Sequence, residues 1–449
     1  MKLTLLPSDK GDCMLLEATD AKKTTILVDG GMPDSYVRHV RDFLGKWRAA
    51  NKRPLDLVYV SHIDQDHIAG VLQLMNDLVD WRVFRFHKKN GDQPDEPDFP
   101  EPPEINRLWH NAFHDMVGEN AGEISSMLAA SAAQLANSSN PASLEIASAY
   151  QAIAASVPEA IKLSRRVSPQ QLNIPLNKEF GKKLAMRRSP PKPIQLNGPK
   201  SPAIRVLGPS KEDLENFRVK WNAWLNDKKN KANLAKTRKF LKEEDQRFDN
   251  GIAAAVDPDE DLGDRGLVTE ENLASLMLMV QHDEQTILLT GDGHYKDVVD
   301  GLKHNGLLKQ HGVHVDVLKI QHHGSEHNFK REFAQLVTAD HYVFCGNGLH
   351  DNPDLNVLKV LFESRVGPHM SANAEAQGPF TVWFNCSTTF LDREIQHRKK
   401  QKLSTTKHEK AKAHFALIES EMKKQKAKAG ARMTVKYLTG STLVLDLDK

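Results

Sequence analysis

Apolar runs of strand length occupy two separate blocks of the chain, and each block ends its runs in histidine and aspartate. The first block holds "KLTLLP", "CMLLEAT", "TTILVDGG" and "LDLVYV", all before residue 61. The second begins near Ser275 with "SLMLMV" and continues through "QTILLTGD", "VDVLKIQHHGS", "DHYVFCGN" and "FTVWFNC". Short apolar runs cut by Gly and Asp turns read as buried strands. Between the blocks the pattern changes. "GDQPDEPDFPEPPE" is a loop by composition, residues 104–165 are rich in Ala and Ser, and residues 210–248 are heavily charged. Potential ligands on both sides of so long a stretch imply one α/β core whose two halves meet at a single site.

Composition narrows the class. The 449 residues are 39% hydrophobic and 27% charged, as a folded globular chain requires. Lys and Arg (61) balance Asp and Glu (59), so total charge selects no partner. Cys13, Cys345 and Cys386 are too few and too scattered for a disulfide framework or a cysteine zinc site. The opening "MKLTLLPSDK" is too short in apolar length for a signal peptide, and no window approaches a membrane span. The expected location is cytoplasmic.

The densest ligand cluster is "SHIDQDHIAG", Ser61 to Gly70. It follows the apolar run "LDLVYV" and precedes "IAGVLQLMNDL", which is apolar at helical spacing. On an extended segment alternate side chains share a face, which pairs His62 with Asp64. Asp66 and His67 then fall where the chain enters the helix. Imidazole and carboxylate together suit zinc, manganese, iron or nickel. The plainer alternative is that Asp66 simply caps the helix.

"SHIDQDHIAG" resembles the His-x-His-x-Asp-His loop of the metallo-β-lactamase fold superfamily, with Asp64 in place of the middle histidine. That variant is similar to the branch of ComEC-type hydrolase domains and phosphorylcholine-esterase-like domains. "KGDCMLLE", "ILVDGG", "ENLASLMLMV", "ILLTGDG", "VLKIQHHGSEHN" and "GNGLHDNPDLNVLKVL" resemble that branch's further motifs in order. The resemblance covers about residues 1–85 and 268–390. It implies an αββα sandwich with two divalent ions, Zn or Mn. His62 and Asp64 would lie on one ion, Asp66 and His67 on the other, and Asp292 between them. One of His322 and His323 would complete the second ion's shell while the other faces substrate. Asp66 and His323 stand as the catalytic candidates, Asp29 as a partner for a ligand histidine, and Ser325 as a phosphate contact. A further histidine for the first ion would come from His87, His110, His114 or His282.

The expected domain plan is a first half-core (1–91), a mostly helical insertion (92–265), a second half-core (266–392), and a basic helical arm with a closing β-hairpin (393–449). The arm's residues 393–432 carry 13 Lys and Arg against four Glu. Such clusters attract nucleic-acid phosphates, and Lys399, Lys400, Lys423 and Lys424 are the candidates for that contact. A lysine-rich run is also what an ordinary solvated helix face looks like. The resulting expectation is a dinuclear hydrolase using a metal-bound hydroxide, a phosphodiesterase or nuclease with a nucleic acid or nucleotide substrate. The alternatives are a small-molecule amide or ester hydrolase, or a metal-binding module docking a protein partner through 92–265.

Overall fold

A computed structural model of the chain describes residues 1–111, 159, 162–226 and 275–448. Most of the Ala-rich segment, including His114, lies outside these residues. Two sheets organise the rest. The first has six strands in the order β14-β1-β2-β3-β4-β5, and the second eight in the order β13-β12-β11-β10-β9-β8-β7-β6. In the first sheet β1 is Lys2–Leu5, β2 Met14–Glu17, β3 Thr25–Val28, β4 Leu57–Tyr59, β5 Leu108–Trp109 and β14 Leu443–Asp446. In the second, β6 is Ile194–Gln195, β7 Ala203–Gly208, β8 Met277–His282, β9 Gln285–Leu289, β10 Val313–Lys319, β11 Val337–Phe344, β12 Phe380–Phe384 and β13 Met433–Tyr437.

Alternation along the strands explains the layering. Met14, Leu16, Ile26, Val28, Leu57 and Tyr59 share one core cluster with Leu278, Val280, Ile287 and Val317, so the two sheets face each other. On the far side of the first sheet, Leu15, Leu27 and Val58 meet helices α1 (Arg41–Asn51) and α2 (Gln65–Lys89). On the far side of the second, Met277 and Met279 share a cluster with α3 (Tyr295–His304), α4 (Arg331–Leu336), α5 (Leu355–Arg365), α6 (Thr388–Lys400) and α7 (Thr406–Ala429). The mixed α/β expectation is met.

The mostly helical insertion expected over 92–265 falls in large part outside the described residues, and the described part of it includes β5, β6 and β7, which extend the two sheets. One detail of the expected plan is corrected. The C-terminal segment is not a hairpin. β13 runs parallel to β12 in the second sheet, whereas β14 runs antiparallel to β1 in the first. Each strand finds a free sheet edge, which satisfies more backbone groups than an isolated pair. The basic arm is two helices, and Ala411, Phe415, Ile418 and Met422 of α7 are buried in the core. No helix among the described residues is long and apolar enough to cross a membrane.

The start of α2 is locked to the turn after β3. Gly30 N–H donates to His67 O at 2.9 Å, and Gly70 N–H donates to Gly31 O at 2.9 Å. A Cβ on Gly70 would sit 1.9 Å from Gly30 O. Gly70→Ala is therefore expected to cost about 1–3 kcal/mol, the usual range for overpacking. Chemical denaturation reads this directly, and a neutral result would show that the turn yields freely.

Candidate metal centre

The site gathers at the C-terminal ends of parallel strands. β3 delivers Asp29, β4 the His62–His67 turn, β9 Asp292, and β10 the His322–His323 turn. Asp64 occupies the cap position of α2, but its side chain makes no cap bond. Asp66 is inside the first turn rather than capping it. Neither acid's side chain is therefore spent on capping the helix.

Among the described residues, two groups bring three donor atoms within 4.8 Å of one another: Asp66, His67 and His323, and Asp12, His67 and Asp292. His67 Nε2 lies 3.3 Å from Asp292 Oδ2, and His323 Nε2 lies 3.4 Å from Asp66 Oδ2. The rings of His67 and His323 stack at 5.3 Å between centroids. His62 Nε2 is 3.3 Å from Asp64 Oδ2, with its ring edge-on to His67 at 5.8 Å. His62 and Asp64 belong to neither three-residue group.

A layer behind these donors fixes their orientation. Asp29 Oδ2 lies 3.0 Å from His67 Nδ1, while its Oδ1 accepts from Ser61 N–H at 2.7 Å. Asp12 Oδ1 lies 3.1 Å from His323 Nδ1. Its other oxygen is ion-paired with the ammonium of Lys319, and both side chains are buried. Facing His323 Nδ1 and ion-paired with Lys319, Asp12 is placed to orient that histidine, and it also belongs to the second donor group. Lys319 Nζ also donates to Gly291 O at 3.1 Å and lies 3.9 Å from Asp292 Oδ1. Asp12 and Lys319 carry no assigned role in the sequence reading. Asp12 belongs to the Gly-Asp motif, and Lys319 precedes the His-His turn, so their positions held a signal.

The two histidines of that turn differ. Both have left-handed backbone, φ 43° for His322 and 53° for His323. Non-glycine residues held there cost about 1–3 kcal/mol each and cluster at functional sites. His323 is 4% exposed, whereas the His322 side chain is 31% exposed with Nε2 3.7 Å from Asp292 Oδ2. Asn328 Nδ2 donates to Asp292 O at 2.9 Å, which turns Asn328 Oδ1 toward His322 Nδ1 at 2.8 Å. Ser325 is 4% exposed and donates its N–H to His322 O. Burial leaves it little surface for a substrate. His110 is buried just after β5, beside the strand that leads into the His62 turn. His87 and His282 lie away from this cluster, paired with Asp92 and Asp283. Of the arm lysines, Lys399 is 3.7 Å from Glu409 and Lys424 is 3.8 Å from Glu421. Lys400 and Lys423 lie on α6 and α7, and none of the four contacts the metal centre.

The pocket is electronegative. Burial opposes protonation of His67, but Asp292 and Asp29 overcome it and its pKa lies well above the usual value. Burial likewise opposes the charge on His323, yet Asp292 and Asp12 push its pKa up to about 9. A cavity that draws protons onto two buried imidazoles calls for positive charge, which a divalent ion supplies instead. The donor set passes a second test. Nε2 of His62, His67 and His323 and Oδ1 of Asp292 are buried without a hydrogen-bond partner. Buried polar atoms are normally satisfied, and unsatisfied ones ask for an explanation such as an ion.

A family model of the metallo-beta-lactamase superfamily matches residues 7–80. The matched stretch contains Asp12, Asp29 and the whole His62–His67 turn, and excludes Asp292 and His323. No curated protein matches the chain. The matched superfamily and the donor groups together indicate a metal-dependent hydrolase with a mixed α/β, two-sheet fold.

Proposed function

We propose that this chain is a dinuclear metal-dependent phosphodiesterase of the metallo-β-lactamase sandwich type, with nucleic acid as its favoured substrate class. The convergence of four unpartnered buried donor atoms on one pocket carries the metal assignment. Asp66, His67 and His323 would hold one ion. His62 and Asp64 would hold the other, joined by His110, with Asp292 shared. Divalent ions there would acidify water and polarise a phosphoryl oxygen.

The protein's own groups divide the remaining work. Asp12 holds Nδ1 of His323 and leaves Nε2, which has no hydrogen-bond partner, aimed at the Asp66 and Asp292 carboxylates, so it suits a ligand rather than the proton donor. His322 is the better donor. Asn328 fixes the Nδ1–H tautomer, which donates inward, so Nε2 is the free base that would first take a proton from the attacking water and then pass it to the leaving oxygen. Asp66 orients the attacking water. The preference for phosphate rests on the acid-rich ligand set and the basic helices α6 and α7, with cytoplasmic nucleic-acid turnover as the setting.

Elemental analysis of chelator-free protein should find up to two equivalents of a transition metal. A metal-supplemented panel of single- and double-stranded DNA, RNA, cyclic nucleotides and a simple phosphodiester identifies the substrate, with Asp66→Ala as control. Absence of metal after reconstitution would remove the catalytic reading. Because Asp64 is a harder ligand than histidine, manganese should activate well, and Asp64→His should shift preference toward zinc. An unaltered preference would show that Asp64 is not a ligand.

A further inference from the structure

We propose that Lys10 and Lys410, on either side of the loop that carries His350, form a cationic rim beside the metal centre that binds the anionic phosphoryl group of the substrate. The assignment deepens the phosphodiesterase reading and rests on it. Three segments distant in sequence are bound together at this point. Gly11, next to Lys10, packs so tightly that a Cβ would lie 1.8 Å from Asp66 O. Gly346 packs so that a Cβ would lie 3.3 Å from His323 Cβ and 3.5 Å from Lys10 O. Asn347 donates to Asp9, tying the loop that carries His350 to the turn that carries Lys10. On the other side of that loop, a Cβ on Gly348 would meet Ala411 O at 2.8 Å, and His414 Nε2 lies 3.1 Å from Pro353 O. These contacts seat α7 against the loop, with Lys410 adjoining Ala411.

The charges are placed to act on an anion at the metal centre. Neither Lys10 nor Lys410 is ion-paired with a described carboxylate, in contrast to Lys399 and Lys424. Lys410 and His350 are solvent-exposed and Lys10 is half-buried. Electrostatic coupling agrees with the geometry. Burial opposes the Asp66 charge, but Lys10 leads the groups that bring its pKa well below the usual range. Desolvation lowers the His350 pKa, and of the neighbouring charges Lys10 and Lys410 lower it further while Asp66 opposes them. His350 and Asp351 both adopt left-handed backbone, φ 58° and 59°. Two adjacent non-glycine residues held in that region mark a loop shaped for something other than stability. Lys10 acts on the Asp9 and Asp66 carboxylates without a direct ion pair to either, and cations held so at the mouth of a cleft raise the local concentration of an anionic substrate. A neutral ester or amide would gain nothing from them.

The test uses metal-loaded protein, bis(4-nitrophenyl) phosphate as anionic diester, 4-nitrophenyl acetate as neutral ester, and inorganic phosphate as competitor. In the Lys10→Ala/Lys410→Ala variant, KM for the diester and the inhibition constant of phosphate should rise about tenfold. Any fall in kcat from loosening the coupling of Lys10 to Asp66 should be shared by both esters, whereas the rise in KM should be confined to the diester. Equal rises in KM on both esters, or an unchanged phosphate constant, would overturn the rim. If neither ester is turned over, the hydrolase reading fails, and calorimetric titration with phosphate still decides the rim: weaker binding in the variant supports it, equal binding overturns it. The Lys10→Arg/Lys410→Arg variant guards against a folding defect. It should bind phosphate like the wild type, and loss of binding in that variant would also overturn the assignment.

Discussion

Asp66→Ala is expected to lower kcat of the metal-loaded protein by on the order of 10²–10⁴-fold, the span of a lost acid–base or water-orienting group, while the chain stays folded. Asp66 is 9% exposed and sits in the first turn of α2 without capping it, so its removal opens no large apolar void. Its Oδ2 faces His323 Nε2, and the variant should also hold its second equivalent of metal more weakly. Steady-state kinetics, elemental analysis and a thermal melt separate the effects. Unchanged kcat at full metal occupancy would show that Asp66 neither binds an ion nor orients water. A parallel Asp12→Asn variant should weaken metal affinity by about 10–100-fold, as loss of an orienting partner does.

Lys319→Met should destabilise the fold by about 3–5 kcal/mol, because it leaves the Asp12 carboxylate buried without its counter-charge. Both side chains are 1% exposed, so water cannot rescue the stranded anion. Pairing Lys319→Met with Asp12→Asn should recover much of the loss, since removing both charges also removes the desolvation penalty. A loss below about 1 kcal/mol in the single variant would mean that the acid simply takes up a proton. Burial opposes the Asp12 charge, but Lys319 and His323 outweigh it and lower its pKa. The Lys319 pKa is raised by Asp12 and Asp292 against the effect of burial. The sign follows from linkage. The contribution of Asp12 is full above its unfolded value of about 3.9 and is lost as pH falls through the folded value. That of Lys319 is full below about 10.4 and is lost only at more alkaline pH. Urea midpoints should thus decline on acidification, and the decline should be shallower in the double variant.

The parts of the site that were legible in the sequence are those whose chemistry forces clustering. Metal ligands must converge within a few ångströms, so His62 to His67 and His322–His323 crowd onto short turns that no surface composition would favour. Asp292 follows a strand and precedes a helix, which marks it in the same way. Asp12 and Lys319 were harder to read, since each is a single charged residue among many and a fully buried lysine has the same letter as a solvated one. Their importance arises from a contact spanning some three hundred residues. The same limit hid β5 and β6, two-residue strands too short to show a period. It also explains the misread C-terminus. "MTVKYLTGSTLVLDLD" has the local pattern of a hairpin, but the free edges that capture its two halves are made by β12 and β1, far away in sequence. The choice between His322 and His323 depended on which ring is buried, a property of packing alone.

The separation of β13 and β14 onto different sheets also sets an order of events during biosynthesis. The first sheet contains β1, Lys2–Leu5, yet the strand beside it at the edge is Leu443–Asp446, made far later in the chain. Until that segment emerges, β1 presents unpaired backbone groups to the cell, a template for unwanted pairing. The second sheet likewise awaits Met433–Tyr437 at its outer side. Folding is therefore dominated by long-range closure, which is slow and leaves intermediates exposed to aggregation. Ribosome-bound chains ending before residue 433 should remain dependent on chaperones and protease-sensitive.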